Sequence, residues 1–199
     1  MISIKGELAE YLKKRNERTP EQWESLDRII WEKFATQSAV FVSDSCQFSY
    51  KTSTKGIIHT LALILRSHDL LVPVIEKHDG EFLKAEADNI LATFPSVELA
   101  LNSAIEMNNI LADYNSTVPS SENYNICIGI GWGKVLRFEN ELFGDELNMA
   151  YQLGENVACK DEILLTASAY NEIKGLKQYE LTFHKSLNFS GYKFDCYIL

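Results

Sequence analysis

EFLKAEADNILATF, residues Glu81–Phe94, reads as two short strands with a break near Asp88-Asn89, entered through the turn pair Asp79-Gly80. Period-2 alternation puts Lys84, Glu86 and Asp88 on one face and Leu83, Ala85 and Ala87 on the other. A cation and two carboxylates on one strand face are costly to bury unpaired, so the plain reading is a solvated strand edge. A second carboxylate upstream supports a different one. In SAVFVSDSCQFS, Asp44 ends a nearly continuous apolar run. Two aspartates at the ends of neighbouring strands can hold a divalent cation, because hard ions prefer carboxylate oxygen.

The whole chain sets bounds on that reading. Its 199 residues, 46% of them hydrophobic, are enough to bury a core as one domain with an appendage. A net charge of -9 argues against a general nucleic-acid surface, which needs excess Lys and Arg. An RNA-binding sheet would also need exposed aromatics interleaved with basic residues, and none stand out. The apolar run Ile57–Ile75 is interrupted by Arg66, His68 and Asp69, so no membrane span is expected. MISIKGELAEYLKKRNER lacks the apolar core of a secretory leader. Cys46, Cys127, Cys159 and Cys196 have no CxxC spacing and read as reduced, mostly buried thiols. A cytoplasmic location is expected.

Residues 4–35 are expected to be helical in two pieces divided at Thr19-Pro20, with Thr19 as cap and Pro20 in the first turn. The stripe Trp23, Leu26, Ile29, Ile30 and Phe34 has helical spacing and reads as a docking face. A strand at Ala39–Ser43, a polar bend and a long apolar helix from Gly56 to Lys77 follow, with Pro73 bending the helix near its end. His59, His68 and His78 form no metal-ligand pattern. Ser96 caps a helix to Tyr114, and Asn115–Asn123 is a polar loop.

Asn125–Val135 alternates as a strand, with Ile126, Ile128, Ile130 and Trp132 on one face and Cys127, Gly129, Gly131 and Gly133 on the other. GIGWGKV lacks the spacing and the Ser/Thr of a phosphate loop, so the glycines imply close backbone approach, to a packed helix or a ligand. A helix at Gly144–Ala158, a strand at Glu162–Leu165, a capped helix at Thr166–Ile173 and strands near Tyr179–His184 and Tyr192–Ile198 complete the chain. The alternation predicts an α+β fold, a sheet covered by helices on one face.

Taken in order from Ala39 to Leu199, these segments resemble the class III nucleotidyl cyclase catalytic domain, the adenylate and guanylate cyclase homology fold. FVSDSCQFS resembles its first metal segment, and LKAEADNILATF its second, with Lys four residues before the second metal Asp. ICIGIGWGKV resembles its glycine-bearing strand, ELFGDELNMAYQLGE the segment with Gly and then Asn four residues on, and EILLTASAY the strand and helix after that. The resemblance implies a ferredoxin-like sheet over residues 37–199, with residues 1–36 as an N-terminal helical extension.

The same resemblance assigns roles. Asp44 and Asp88 would hold two Mg²⁺ or Mn²⁺ ions. Lys84 and Glu141 would contact the base, Asn148 would orient the ribose, and Gln152 stands where the family has its transition-state arginine. Backbone amides of Ser45, Cys46, Gln47 and Phe48 would take the terminal phosphates. Ala87 stands where the family has Gly, and the Tyr192-Lys193 region gives no single register for a C-terminal phosphate lysine. The implied reaction makes a 3′,5′-cyclic nucleotide and pyrophosphate, with ATP favoured over GTP. A head-to-tail homodimer would supply Asp44 and Asp88 from one chain and the other four residues from its partner.

Gln152 can donate a hydrogen bond but carries no charge, so slow catalysis is implied. The alternative is a silent cyclase-fold module that binds nucleotide or metal and dimerises. A diguanylate cyclase is disfavoured because the chain has no GGDEF-like hairpin.

Overall fold

The structure is a computed structural model that describes residues 6–46, 48–189 and 191–199. Its centre is the sequence β1(Ala35–Ser45), α4(Ile57–Lys77), β2(Glu81–Glu86), β3(Asn89–Phe94), α5(Val97–Thr117), β4(Ile126–Phe138). These strands lie in the order β2-β3-β1-β4, each antiparallel to its neighbour. That is the ferredoxin-like βαββαβ arrangement. The sheet extends through β6(Ile163–Thr166), parallel to β4, and then β8(Tyr192–Ile198) and β7(Thr182–Phe189). The short β5(Glu141–Phe143) pairs with the end of β4.

Alternation along β1 sorts the core into two layers. Ala39 and Phe41 face α4 and α5, joined by Ile126, Ile128 and Ile130 of β4 and by α7(Ala167–Ile173). Val40 and Val42 face the other way, where Leu147 and Ala150 of α6(Asp145–Tyr151) cover them. The long helices thus share one face, as expected, and the short α6 covers the middle of the other. Fully burying such side chains contributes about 1.5–3 kcal/mol each, so β1, buried on both faces, is where the fold is held.

The expected close approach on β4 is to a helix. A Cβ at Gly129 would lie 2.1 Å from the Ala150 carbonyl oxygen, and one at Gly131 would lie 2.7 Å from that of Glu146. Only glycine lets α6 lie this close to the strand. The predicted helix at Gly144–Ala158 changes character midway, because Gln152–Val157 forms a π-helical turn. Ser96 accepts from the Leu99 amide at 3.2 Å and Thr166 from the Ala169 amide at 3.2 Å, so both expected caps are present.

The N-terminal pair, α1(Glu7–Asn16) and α2(Pro20–Phe34), forms a helical hairpin closed by a bidentate Arg15–Asp27 ion pair and a Tyr11–Phe34 edge contact. Thr19 and Gln22 form a capping box at the start of α2. From the predicted stripe only Ile30 is buried, while Ile29 is exposed. Phe34 ends α2 and Ala35 begins β1, so a boundary at 36/37 falls inside the strand.

The expected polar bend contains α3(Phe48–Lys55), a polar helix whose one strong apolar anchor is Phe48 against the core. By length and apolarity α4 meets the usual test for a membrane-crossing helix. In this fold Leu63, Ile64, Leu71, Val74 and Ile75 pack it onto the sheet, while Ile58, Leu61 and Leu65 are exposed.

Candidate active site

Asp44 lies one residue from the end of β1, opposite Cys127 of β4, and Asp88 occupies the two-residue turn between β2 and β3. Because β1 and β3 are adjacent, the strand ends bring these residues together. Ser45 Oγ donates to Asp88 Oδ2 at 2.5 Å. The Asp44 carboxyl is pushed up to about 7, first by burial and then by the neighbouring charges of Asp88 and Glu155.

Glu155, on the π-helical turn, accepts from Asn89 Nδ2 at 2.5 Å, and burial raises its own pKa with Asp88 and Glu86 adding to the effect. Asn89 Oδ1 is buried without a hydrogen-bond partner among the described residues. This corner therefore concentrates negative charge and hard oxygen atoms, and the charged groups that act on Asp44 and Glu155 among the described residues are carboxylates.

That donor set fits Mg²⁺ or Mn²⁺, which are held through one or two carboxylates with the remaining positions left to water or phosphate. Among the described residues no group of three His, Cys, Asp or Glu forms a complete metal-ligand constellation. Asp44 and Asp88 would hold the ions, and the raised Asp44 pKa marks the charge an ion would neutralise.

Lys84 donates to Glu86 at 2.7 Å and to Glu141 at 2.9 Å, which joins β2 to the short β5. Burial works against its charge, but the bonds to Glu86 and Glu141 leave its pKa raised. Lys84 and Glu141, both expected to contact the base, bond to each other within one chain.

Asn148 and Gln152 lie four residues apart and line a cavity of about 350 Å³ with Asp145, Tyr151, Phe189, Tyr192 and Phe194. Asp44 and Asp88 are not among its lining residues. Gln152 Oε1 accepts from Asn156 Nδ2 at 3.2 Å. Tyr151 connects the groups: it lines the cavity, and its phenol, with pKa raised by burial, lies within range of the charges of Glu86, Lys84, Glu155 and Glu141. The residues singled out in the sequence come together as an aspartate pair, a lysine–glutamate pair and a cavity wall.

The expected phosphate amides fare unevenly. The Cys46 amide donates to the Asn125 carbonyl at 2.9 Å, so it is not a free phosphate donor in this conformation. The Ser45 side chain is held by Asp88, and Phe48 begins α3. Gln47 lies outside the described residues.

Ala87, the first residue of the β2–β3 turn, has φ +55°, while Asp88 is not among the positive-φ residues. A positive φ at the first position alone is the pattern of a II′ turn, which favours glycine there. Glu155 was not legible as a site residue, because a regular helix through Gly144–Ala158 gives no reason to aim it at Asp88. Cys46 and Cys127 also come together, with their sulfurs 2.7 Å apart. That contact lowers the Cys46 pKa and raises that of Cys127.

No protein-family model matches the chain. Among curated proteins, it is 27% identical over 128 residues to the serine/threonine-protein kinase pkn2 of Myxococcus xanthus, covering 64% of this chain and 15% of that protein. It is 25% identical over 135 residues to the Rhizobium meliloti (strain 1021) protein named "Putative adenylate cyclase 3", covering 60% of this chain and 23% of that one. The chain therefore spans less than a quarter of either relative.

Among solved structures, an adenylate/guanylate cyclase/hydrolase from Silicibacter pomeroyi superposes with TM-score 0.70 at 19% identity, covering 82% of this chain and 96% of that one. The adenylyl cyclase CyaB from P. aeruginosa gives TM-score 0.70 at 18% identity, covering 82% and 94%. Identities this low speak to the fold, and the coverage spans nearly all of each cyclase domain. This chain has the fold of the adenylate and guanylate cyclase catalytic domains, and the class III nucleotidyl cyclase domain is what it resembles.

Proposed function

We propose that the chain is a divalent-metal-dependent nucleotidyl cyclase, acting as a cytoplasmic homodimer, that converts a nucleoside triphosphate, ATP in preference to GTP, into its 3′,5′-cyclic nucleotide and pyrophosphate. The observation that carries this reading is the convergence of Asp44 and Asp88 at adjoining strand ends, with the Asp44 carboxyl pushed up to about 7. A carboxylate pair this short of positive charge is suited to metal and triphosphate.

In cyclisation the ribose 3′-oxygen attacks the α-phosphorus and pyrophosphate leaves, so the substrate carries its own nucleophile. The chain's task is positioning and charge. Asp44 and Asp88 would hold the ions, which supply Lewis-acid activation of the hydroxyl and neutralisation of phosphate charge. Lys84 and Glu141, a donor and an acceptor 2.9 Å apart, would orient the base by exchanging their mutual contact for contacts to its edge. Asn148 would orient the ribose from the cavity wall. In a homodimer these residues and Gln152 face the partner's aspartates, and symmetry makes two equivalent sites.

Gln152 offers a neutral donor where charge builds on the α-phosphate. Losing a donor of this kind typically costs about 10²–10³ in rate, which is why turnover is expected to be slow. The second reading, a silent nucleotide- and metal-binding dimerisation module, is favoured by the same residue, because its neutral amide brings no charge to the phosphate.

Incubation of the purified chain with Mn²⁺ and each of the four nucleoside triphosphates, followed by chromatography for cyclic product, separates the two. Product that disappears with Asp88→Ala supports the enzyme. Nucleotide binding that needs Asp44, with no cyclic product from any triphosphate, supports the module.

A further inference from the structure

The contact between Cys46 and Cys127 plays no part in the proposed reaction. Asp44 pairs with Cys127 across β1 and β4, and the Cys46 amide continues the ladder to Asn125. Cys46 is therefore diagonal to Cys127 on one sheet face. The residues are 81 apart in the chain, yet their sulfurs lie at 2.7 Å. A disulfide needs about 2.05 Å, so closure asks for roughly 0.7 Å of further approach. Diagonal pairs are set wide for a disulfide, but these two sulfurs are already in contact, and Cys46 sits just past Ser45, the last residue of β1, held to the neighbouring strand through its amide bond to Asn125.

We propose that Cys46 and Cys127 are an oxidisable dithiol, closed by a peroxide into a disulfide that staples the end of β1 to β4 beside Asp44. Cys46 is partly exposed and Cys127 is buried, so the oxidant meets Cys46 first. The Cys46 sulfur attacks one peroxide oxygen, the O–O bond breaks, and the departing hydroxide takes up the thiol proton as water. The resulting sulfenic acid lies against Cys127, whose sulfur displaces its hydroxyl, and a second water leaves with the Cys127 proton. Two thiols lose two electrons and two protons, and one hydrogen peroxide becomes two waters. Burial of the resolving sulfur favours this closure over further oxidation, because Cys127 is in contact before a second peroxide arrives.

The test treats the full chain with a small excess of hydrogen peroxide, quenches in acid, unfolds it in alkylating buffer and maps the peptides. Alkylatable thiols should fall from the four present to two, Cys159 and Cys196. One peptide pair should be joined through Cys46 and Cys127, and dithiothreitol should release it. Cys159→Ser should form the same bond, and Cys46→Ser should leave Cys127 fully alkylatable. A Cys46–Cys159 pair, a bond between two chains, or Cys46 oxidised to sulfinic acid beside an intact Cys127 would each overturn the proposal. Mapping in the wild-type chain decides this even where a variant fails to fold. The chemistry does not depend on cyclase activity, so the two readings fail independently.

Discussion

Ser45 Oγ donates to Asp88 Oδ2 at 2.5 Å, so the last residue of β1 holds the turn between β2 and β3. Asp44 and Asp88 are thereby fixed relative to each other before any ligand arrives. Mn²⁺ with a nucleoside triphosphate should therefore raise Tm by the amount that ligand linkage sets. Asp44→Ala or Asp88→Ala should each abolish the rise. A differential scanning measurement in which both variants keep the wild-type shift would remove the metal site.

The raised pKa of Asp44 gives a pH signature. With the folded value near 7 and the unfolded value at 3.8, the native state binds the proton more tightly. Stability from Asp44 is then fully present below the unfolded pKa and is lost as pH rises from about 4 to 7. Without metal, Asp44→Asn should gain on the wild type across that window. At this half-exposed site solvent screening reduces the effect to about 1–2 kcal/mol. Urea melts at pH 4.5 and 7.5 measure it, and an equal difference at both values would contradict the assignment.

Ala87 has φ +55° where the turn favours glycine. Its side chain is exposed, so Ala87→Gly gives up no packing and relieves the backbone. Stability should rise by about 1 kcal/mol, less the entropy that glycine adds to the unfolded chain. Chemical denaturation of both proteins reads the difference directly, and a loss of stability would mean the turn is not strained.

The sequence held the order of strands and helices because the apolar periodicities of β1, β4 and α5 are strong and their turns carry plain signals. It also held the meaning of the β4 glycines, since a strand with bare positions on one face needs a close neighbour. It did not hold the π-helical turn, because Gln152–Val157 has no composition distinct from a regular helix. That turn aims Glu155 at Asp88, so the third carboxylate was missed with it. α3 was missed because FSYKTSTK has almost no apolar face. The Cys46–Cys127 contact depends on strand register, which spacing alone does not give.

Asn148 and Gln152 line one cavity, and Asp44 and Asp88 stand outside it. A site shared between two chains accounts for this division. Mixing Asp44→Ala chains with Asn148→Ala chains should restore one working site per heterodimer, about a quarter of wild-type activity if subunits exchange randomly. Neither parent should act alone. A mixture no more active than its parents, with exchange proved by native mass spectrometry, would exclude the shared site.

Gln152 decides between enzyme and binding module. If the rest of the site is assembled, the missing cation is the main defect and Gln152→Arg should repair it. A guanidinium brings several donors and a fixed charge to the developing phosphate oxyanion. The gain should be about 2–4 kcal/mol in the barrier, roughly 30- to 10³-fold in rate, with ground-state binding changed much less. The geometry favours room for the longer side chain, since Gln152 borders a cavity of about 350 Å³ and its contact to Asn156 is an exposed one. Glu155 is already held by Asn89, which limits its competition for the new cation. Tyr151, which lines the cavity within range of the Lys84 charge, is the neighbour that sets the arginine's direction. Cyclic nucleotide formed per dimer with Mn²⁺ is the readout, wild type beside variant, with Asp88→Ala as the blank. A folded dimeric variant that binds nucleotide normally and makes no product above the blank would show that more than one part of the machinery is missing, and the binding module would then be the better account of the chain.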